Sequence, residues 1–328
     1  MAIVTVPTNK IVNLPGAGTY NLKVFTYKPN GLDDQVPTND TLLTTFKVFD
    51  AQPGPVKEGF ESVTFPPANW DVANSNATYG WQRNTLAASQ GIASAWARNY
   101  RFTGNGGSDF LFSPLMQVTS VDSVFLSFDR SHVTAKYPGS TATPLDTLEV
   151  LITTDCGRTF QSIYKKWGED LQSVDDPNFP RIYTDTIGFK PTSPSEWKRD
   201  SINLTAIVGT SNKFQVVFKN TSNRGNNVFL DNINLYSVTL PAKLKQNGYL
   251  ISPNPFDGSL SVRHYLRPVD LKGIQIINAA GQTVYKRTFS GDAQSNIPIN
   301  LTKYAAGVYM IKLVYTNKVI TERIVKRQ

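Results

Sequence analysis

TLEVLITTD, residues 147–155, alternates apolar and polar side chains with a period of two. Leu148, Val150 and Ile152 fall on one side, as on a strand with one face in a core. KFQVVFKNTS (213–222) repeats the pattern with Phe214, Val216 and Phe218, and SVFLSFDRSHV (123–133) and VFLDNINLYSV (228–238) are of the same kind. Long polar connections separate these strands, which points to a jelly-roll sandwich. The chain has six Glu against nineteen Asp and lacks Ala-, Glu- and Leu-rich amphipathic stretches. Turn and strand formers outweigh helix formers, so an all-β protein is expected. A length of 328 residues allows two or three domains.

Outward from this centre the chain divides. TYNLKVFTY and TLLTTFKVF read as two strands joined by the loop NGLDDQVPTND, and two strands alone cannot bury a core. Residues 1–50 resemble the last hairpin of an immunoglobulin-like domain of bacterial exoproteins, a partial domain. DAQPGPVKE (50–58) reads as a boundary before a unit at 59–238, and TLPAKLKQNG (239–248) as a linker. Residues 249–328 show short strands with turns at NPFDG, NAAG, SGDAQS and YTNK. That spacing fits a small immunoglobulin-like sandwich.

The last unit carries an ordered set of marks: Pro253-Asn254-Pro255, Asn278-Ala-Ala-Gly281, Gly307-Val308-Tyr309 and Ile324-Val325-Lys326. Elementary geometry accounts for each. The prolines restrict φ and extend the residues before them. Gly281 suits a turn needing positive φ, and Gly307 leaves room where a central strand begins. Tyr309, Ile311 and Leu313 share a face. Together the marks resemble the type A C-terminal sorting domain of the type IX secretion system of Bacteroidetes. The resemblance implies export through the periplasm to the cell surface or medium. It also implies three partners: the translocon, its outer-membrane shuttle protein and a sortase that removes the signal.

The middle unit offers EGFESVTFPPANWDV (58–72), YGWQR, DFLFSP (109–114), TTDCGRTF (153–160) and FLDNINLY (229–236). This order resembles the MAM-like jelly rolls of cleaved-adhesin and choice-of-anchor modules, with Cys156 where a glycine is usual. Such modules often hold a structural Ca²⁺ between first and last strands. The resemblance implies Glu61 and Asp231 as ligands, carboxylates within otherwise apolar strands; the plainer alternative is strand capping or pairing with Arg or Lys. ANSNATYGW is short of carboxylates, which speaks against a second calcium loop. All five tryptophans lie in this unit. Trp70 and Trp81 are expected in the core, while Trp167 and Trp197, beside polar loops, are candidates for stacking on a sugar ring.

The net charge of +8 is uneven. Residues 241–328 hold 13 basic against 4 acidic groups, and the first 240 hold 20 against 21. The excess is either a solvated surface or a basic face for an acidic partner or an anionic membrane surface. The scattered basic residues match no nucleic-acid motif. One cysteine forbids an intrachain disulfide. No apolar run approaches the roughly 20 residues of a membrane span, and the start MAIVTVPTNK has no signal-peptide pattern. With His132 and His264 in different units and no metal-ligand spacing, no catalytic constellation emerges. Any catalytic domain is expected upstream.

Bacteroidetes export pathways imply one further modification, O-glycosylation at Asp-Ser/Thr-aliphatic triplets. Five occur, placing sugar at Thr41, Ser123, Thr147, Thr186 and Ser201. The alternative is ordinary strand-start chemistry. The expected function is a non-catalytic region with an adhesin-like domain and an export signal; the alternative is a carbohydrate-binding module of a secreted hydrolase with the same signal.

Overall fold

A computed structural model describes residues 14–328 apart from 29–30, 33–35, 37–40, 101, 103–105, 119–121, 136–144, 177, 184 and 210. Most of the loop at 30–40, with Asp40, and part of the glycine-rich stretch before Ser108 lie outside the described residues. The chain forms two compact units, Met1–Val238 and Thr239–Gln328.

In the first unit, β1 (Gly18–Phe25) and β2 (Thr41–Val48) form an antiparallel hairpin with eight pairs. Nearly all its side chains are exposed on both faces, as expected of two strands without a layer to cover them. Then come β3 (Gln52–Pro53), β4 (Val56–Glu58), β5 (Asp71–Ala73), β6 (Trp81–Asn84), β7 (Ser94–Ala97), β8 (Ser108–Phe112) and β9 (Met116–Gln117). The long strands follow: β10 (Ser123–Ser131), β11 (Thr147–Thr153), β12 (Gln161–Trp167), β13 (Lys198–Asn203), β14 (Lys213–Thr221) and β15 (Val228–Val238). One sheet runs β13-β10-β15-β7-β6 with β4 beside β15; the other runs β12-β11-β14-β8-β5 with β9 and β3 attached. The segment 50–58 is therefore no spacer: β3 joins one sheet and β4 the other. Leu148, Val150, Ile152, Phe214, Val216 and Phe218 all point into the core between the sheets, joined by Trp70 and Trp81.

The last strand contains an irregularity that matters for the site. Leu230, Ile233 and Leu235 all enter the core, although 230 and 233 are an odd distance apart. Between Ser127/Asn234 and Asp129/Asp231 the register with β10 shifts, and Asn232 takes φ +50°. This bulge resets the alternation, so Ile233 faces inward again and Asp231 and Asn232 are re-aimed at the loops. The opposite side of that sheet carries a smaller core. There Phe229 and Trp96 pack with Val133 and Phe189 under the segment that follows α1 (Gly168–Leu171). A second single-turn helix, α2 (Thr205–Val208), follows β13.

The second unit opens with α3 (Ala242–Asn247), then β16 (Tyr249–Ser252), β17 (Ser259–His264), β18 (Leu271–Asn278), β19 (Thr283–Thr288), β20 (Asn296–Asn300), β21 (Gly307–Tyr315) and β22 (Val319–Lys326). Two sheets, β16-β17-β20 and β19-β18-β21-β22, enclose a core that includes Tyr309, Ile311 and Leu313 on one face of β21. The segment 239–248 differs from the expected linker. Leu244 is buried, Gly248 closes α3 in the left-handed conformation, and Lys243 pairs with Glu322 of β22 at 3.2 Å. Leu244, the sixth residue of this segment, docks the short helix on the sandwich.

Candidate functional sites

The two ends of the small sandwich meet in one place. Asn254, between two cis prolines, donates from Nδ2 to the Arg323 carbonyl at 2.9 Å and accepts at Oδ1 from the Val325 N–H at 3.0 Å. Its side-chain amide thus stands in for a backbone peptide along the free edge of β22. Phe256 continues the contact: its N–H donates to the Val325 carbonyl and its carbonyl accepts from the Arg327 N–H. Its ring is fully buried. Lys326 donates from Nζ to the Tyr304 carbonyl at 2.5 Å, which ties the end of β22 to the turn before β21. Asn278 caps its own turn, accepting from Ala280 and Gln282 N–H groups, and Gly281 supplies φ +79° there. Gly307 departs from expectation: nothing lies within 4 Å of a Cβ built on it. Its φ of +153° is the requirement, not space. Tyr309 follows and donates its hydroxyl to the Ala305 carbonyl at 2.6 Å, as in a tyrosine corner.

In the large sandwich, β4 runs antiparallel to β15, with Glu58 opposite Ile233. The chain beyond β4 therefore passes the bulge. A Cβ built on Gly59 would stand 3.6 Å from Asp231 Oδ1 and 3.9 Å from Glu61 Cγ, so the two carboxylate side chains flank the same glycine. One loop wraps both. Ser89 and Gln90 donate their N–H groups to Asp231 Oδ2 at 2.7 and 3.0 Å. Ile92 and Ala93 donate theirs to Glu61. Burial pushes the Asp231 carboxyl up to about 6 against the pull of these amides, with Asp129 adding to the rise. Glu61 differs from expectation in lying beyond the strand, exposed and outside any regular element. The carboxylate on the strand itself is Glu58, whose Oε1 accepts from the Phe60 N–H.

The sequence reading missed Glu58, Asp129, Asn232 and the loop 89–93, which reach this place only through pairing of distant strands. Asp129 is held below its ordinary range by hydrogen bonds from Arg199, Ser89 and Asn232, which outweigh its burial. Among the described residues no three His, Cys, Asp or Glu side chains are grouped to hold a metal ion. Two carboxylates are nonetheless hard oxygen donors with lone pairs beyond the N–H bonds described, which fits a calcium-type ion completed by backbone oxygen or water.

The tryptophans divide. Trp167, at the end of β12, is 46% exposed. Trp197 is not a free platform: it is half-buried, edge-on to Phe229 at 6.2 Å between centroids. Of the hydroxyls in the triplets, Thr41, Thr186 and Ser201 are exposed, and Ser123 and Thr147 are half-buried. Two of the preceding aspartates serve the fold. Asp146 is buried and accepts N–H groups of Asn223, Gly225 and Asn226, and burial still pushes its carboxyl up to about 6. Asp200 pairs with Arg130 and Lys166.

A family model described as a secretion system C-terminal sorting domain matches residues 250–327. Residues 250–327 are a C-terminal sorting domain. The match spans about a quarter of the chain and includes both ends joined through Asn254. The sorting domain directs the chain through type IX secretion to the cell surface or the extracellular space. No curated protein matches the chain.

Among solved structures, the K1 cleaved adhesin domain of Lys-gingipain from Porphyromonas gingivalis W83 is similar at 14% identity. The likeness covers 56% of this chain and 98% of that one, with a TM-score of 0.37. The K2 cleaved adhesin domain of Lys-gingipain is similar at 19% identity, covering 56% and 97%, with a TM-score of 0.36. The carbohydrate-binding module TmCBM61, solved with β-1,4-galactotriose, is similar at 14% identity, covering 55% and 94%, with a TM-score of 0.35. No helix among the described residues is long and apolar enough to cross a membrane.

Proposed function

We propose that this chain is a non-catalytic, exported binding region: a jelly-roll sandwich displayed outside the cell by the sorting domain that follows it. The observation that carries the reading is the sorting domain at 250–327, folded so that its Pro-Asn-Pro start and its basic terminal strand form one structure. Its partners are the translocon, the outer-membrane shuttle that receives cargo from it, and the sortase. Glu61 and Asp231 hold a structural Ca²⁺ that closes the loop 89–93 over the bulge, and the jelly roll binds a protein or glycan ligand. The exposed ring of Trp167 favours a second reading, in which the sandwich is a carbohydrate-binding module. Binding on a glycan array that Trp167→Ala abolishes would select that reading. Export itself is tested by fusing residues 239–328 to a periplasmic reporter in a type IX-competent host. The reporter moves to the surface or medium; a reporter that stays in the periplasm refutes the signal.

A further inference from the structure

One broad surface of the sorting domain has no counterpart in its own fold. The four-stranded sheet β19-β18-β21-β22 turns Tyr309, Ile311 and Leu313 inward, and the alternate residues outward. Strand register assembles the outward residues into rows. Ile277, Met310 and Arg323 stand side by side across three strands. The next row is Lys286, Gln275, Lys312 and Thr321, and the one after it passes through Gly273, Val314 and Val319. Val308 and Val325 close the end.

Two properties distinguish this face. It is apolar where a solvent-facing sheet is ordinarily polar: Val308, Met310 and Val319 are 44%, 38% and 60% exposed. Its charges are also all of one sign. Lys286, Lys312 and Arg323 form no ion pair among the described residues, and no carboxylate stands on the face. Of the unit's four acidic residues, Glu322 points to the other side with Tyr249 and Lys243, and Asp257 pairs with Arg327. Asp292 sits in the turn before β20 and Asp270 precedes β18. Where Gly273 has no side chain, a cavity of about 190 Å³ opens between Lys272, Lys286, Thr288 and Val314.

Resting on the export reading, we propose that this sheet face is the docking surface by which the export machinery grips the sorting domain, and that the partner is a protein surface bearing carboxylates around an apolar patch. Charge complementarity selects an acidic partner. The arrangement selects protein over anionic lipid. Gln275 and Lys312 lie in a row flanked by apolar residues on both sides. Insertion among acyl chains would bury that row, whereas interfacial membrane segments keep cations at a polar rim. A protein can answer each row, and can seat one acidic side chain in the notch at Gly273 between two lysines.

The test uses the full chain, with an export leader, in a type IX-competent host. Lys286→Glu with Lys312→Glu is compared with Arg263→Glu plus Lys303→Glu, an equal charge change at exposed positions off this face. The face variant, with an unchanged melting temperature, is expected to fall at least tenfold in the surface and medium fractions and to accumulate in the periplasm. The control exports normally. If the face variant fails to fold, Lys286→Glu with Arg323→Glu repeats the comparison. Export of a folded face variant at the wild-type level overturns the proposal. So does binding of the purified wild-type chain to phosphatidylglycerol vesicles that the face variant loses, which would make the partner lipid. Retention of the wild-type chain itself overturns the export reading, and this proposal with it.

Discussion

Asp231 is a carboxylate with no exposed surface beside a second carboxylate, Asp129, and its charge is tolerated only through three backbone amides. Its raised proton affinity has a sign that can be measured. In the folded state Asp231 and Asp146 keep protons up to about pH 6, whereas an unfolded chain releases them near 4. The stability they contribute is therefore present at low pH and lost as pH rises from about 4 to about 6. His132 works the other way: burial holds it near 4, so its contribution is gained as pH rises toward 6.5. With two groups against one, the large sandwich in EDTA should melt lower at pH 6.5 than at pH 4.5. Saturating Ca²⁺ keeps Asp231 charged at no cost, so it should raise the melting temperature at pH 6.5 by mass action. Glu61→Gln should remove that calcium increment. A melting temperature indifferent to EDTA and Ca²⁺ would reject the ion. A rise from pH 4.5 to 6.5 in EDTA would reject the burial argument.

At the scale of the element, the edge of β22 and the segment that follows α1 show how single side chains finish strands. Asn254→Ala deletes one donor and one acceptor along β22 and should destabilise the sorting domain by about 1 kcal/mol. Trp197→Ala removes an aromatic side chain packed edge-on against Phe229, and should cost the large sandwich about 2 kcal/mol, less than the full range for buried aromatics because the ring is half-buried. Trp167→Ala should change stability by under about 0.5 kcal/mol. Urea denaturation of the three variants gives these differences, and equal losses at Trp167 and Trp197 would contradict their contrasting environments. The sequence marked these strands well. It named four of the six long strands of the large sandwich, β10, β11, β14 and β15, because each carries a row of buried apolar residues, and it missed β12 and β13, whose side chains are only half-buried or exposed. It could not separate Trp197 from Trp167, since both sit beside polar loops. Only the chain segment folded back over Phe229 distinguishes them.

For the whole molecule, the boundary between units decides where processing can occur. The last strand of the sandwich ends at Val238, and α3 begins at Ala242 with Leu244 buried. Thr239–Pro241 is the longest run without regular structure in the segment 239–248, Gly248 being the tight cap of α3, so the sortase should cut at 239–241 and not within 242–248. Intact-mass measurement of protein from the native host reads the cut and any glycan together. The expected species ends between residues 238 and 241, with added mass on Thr41, Thr186 or Ser201 before Ser123 or Thr147. A C-terminus at Gln328 would refute the processing, and a bare polypeptide mass would refute the glycans. The sequence by itself determined the all-β class, the two sandwiches and the sorting domain. Period-two alternation and turn residues are local properties, and the sorting marks follow one another along a single stretch. Tertiary structure alone decided the rest. The boundary segment 50–58 became strands in both sheets, because the long strands left edges open to it. Glu61 and Asp231 came together across a bulge, and the rows of Lys286, Met310 and Arg323 formed one face. Residues far apart in sequence become neighbours only when strand register is set, and register depends on which face the core can bury.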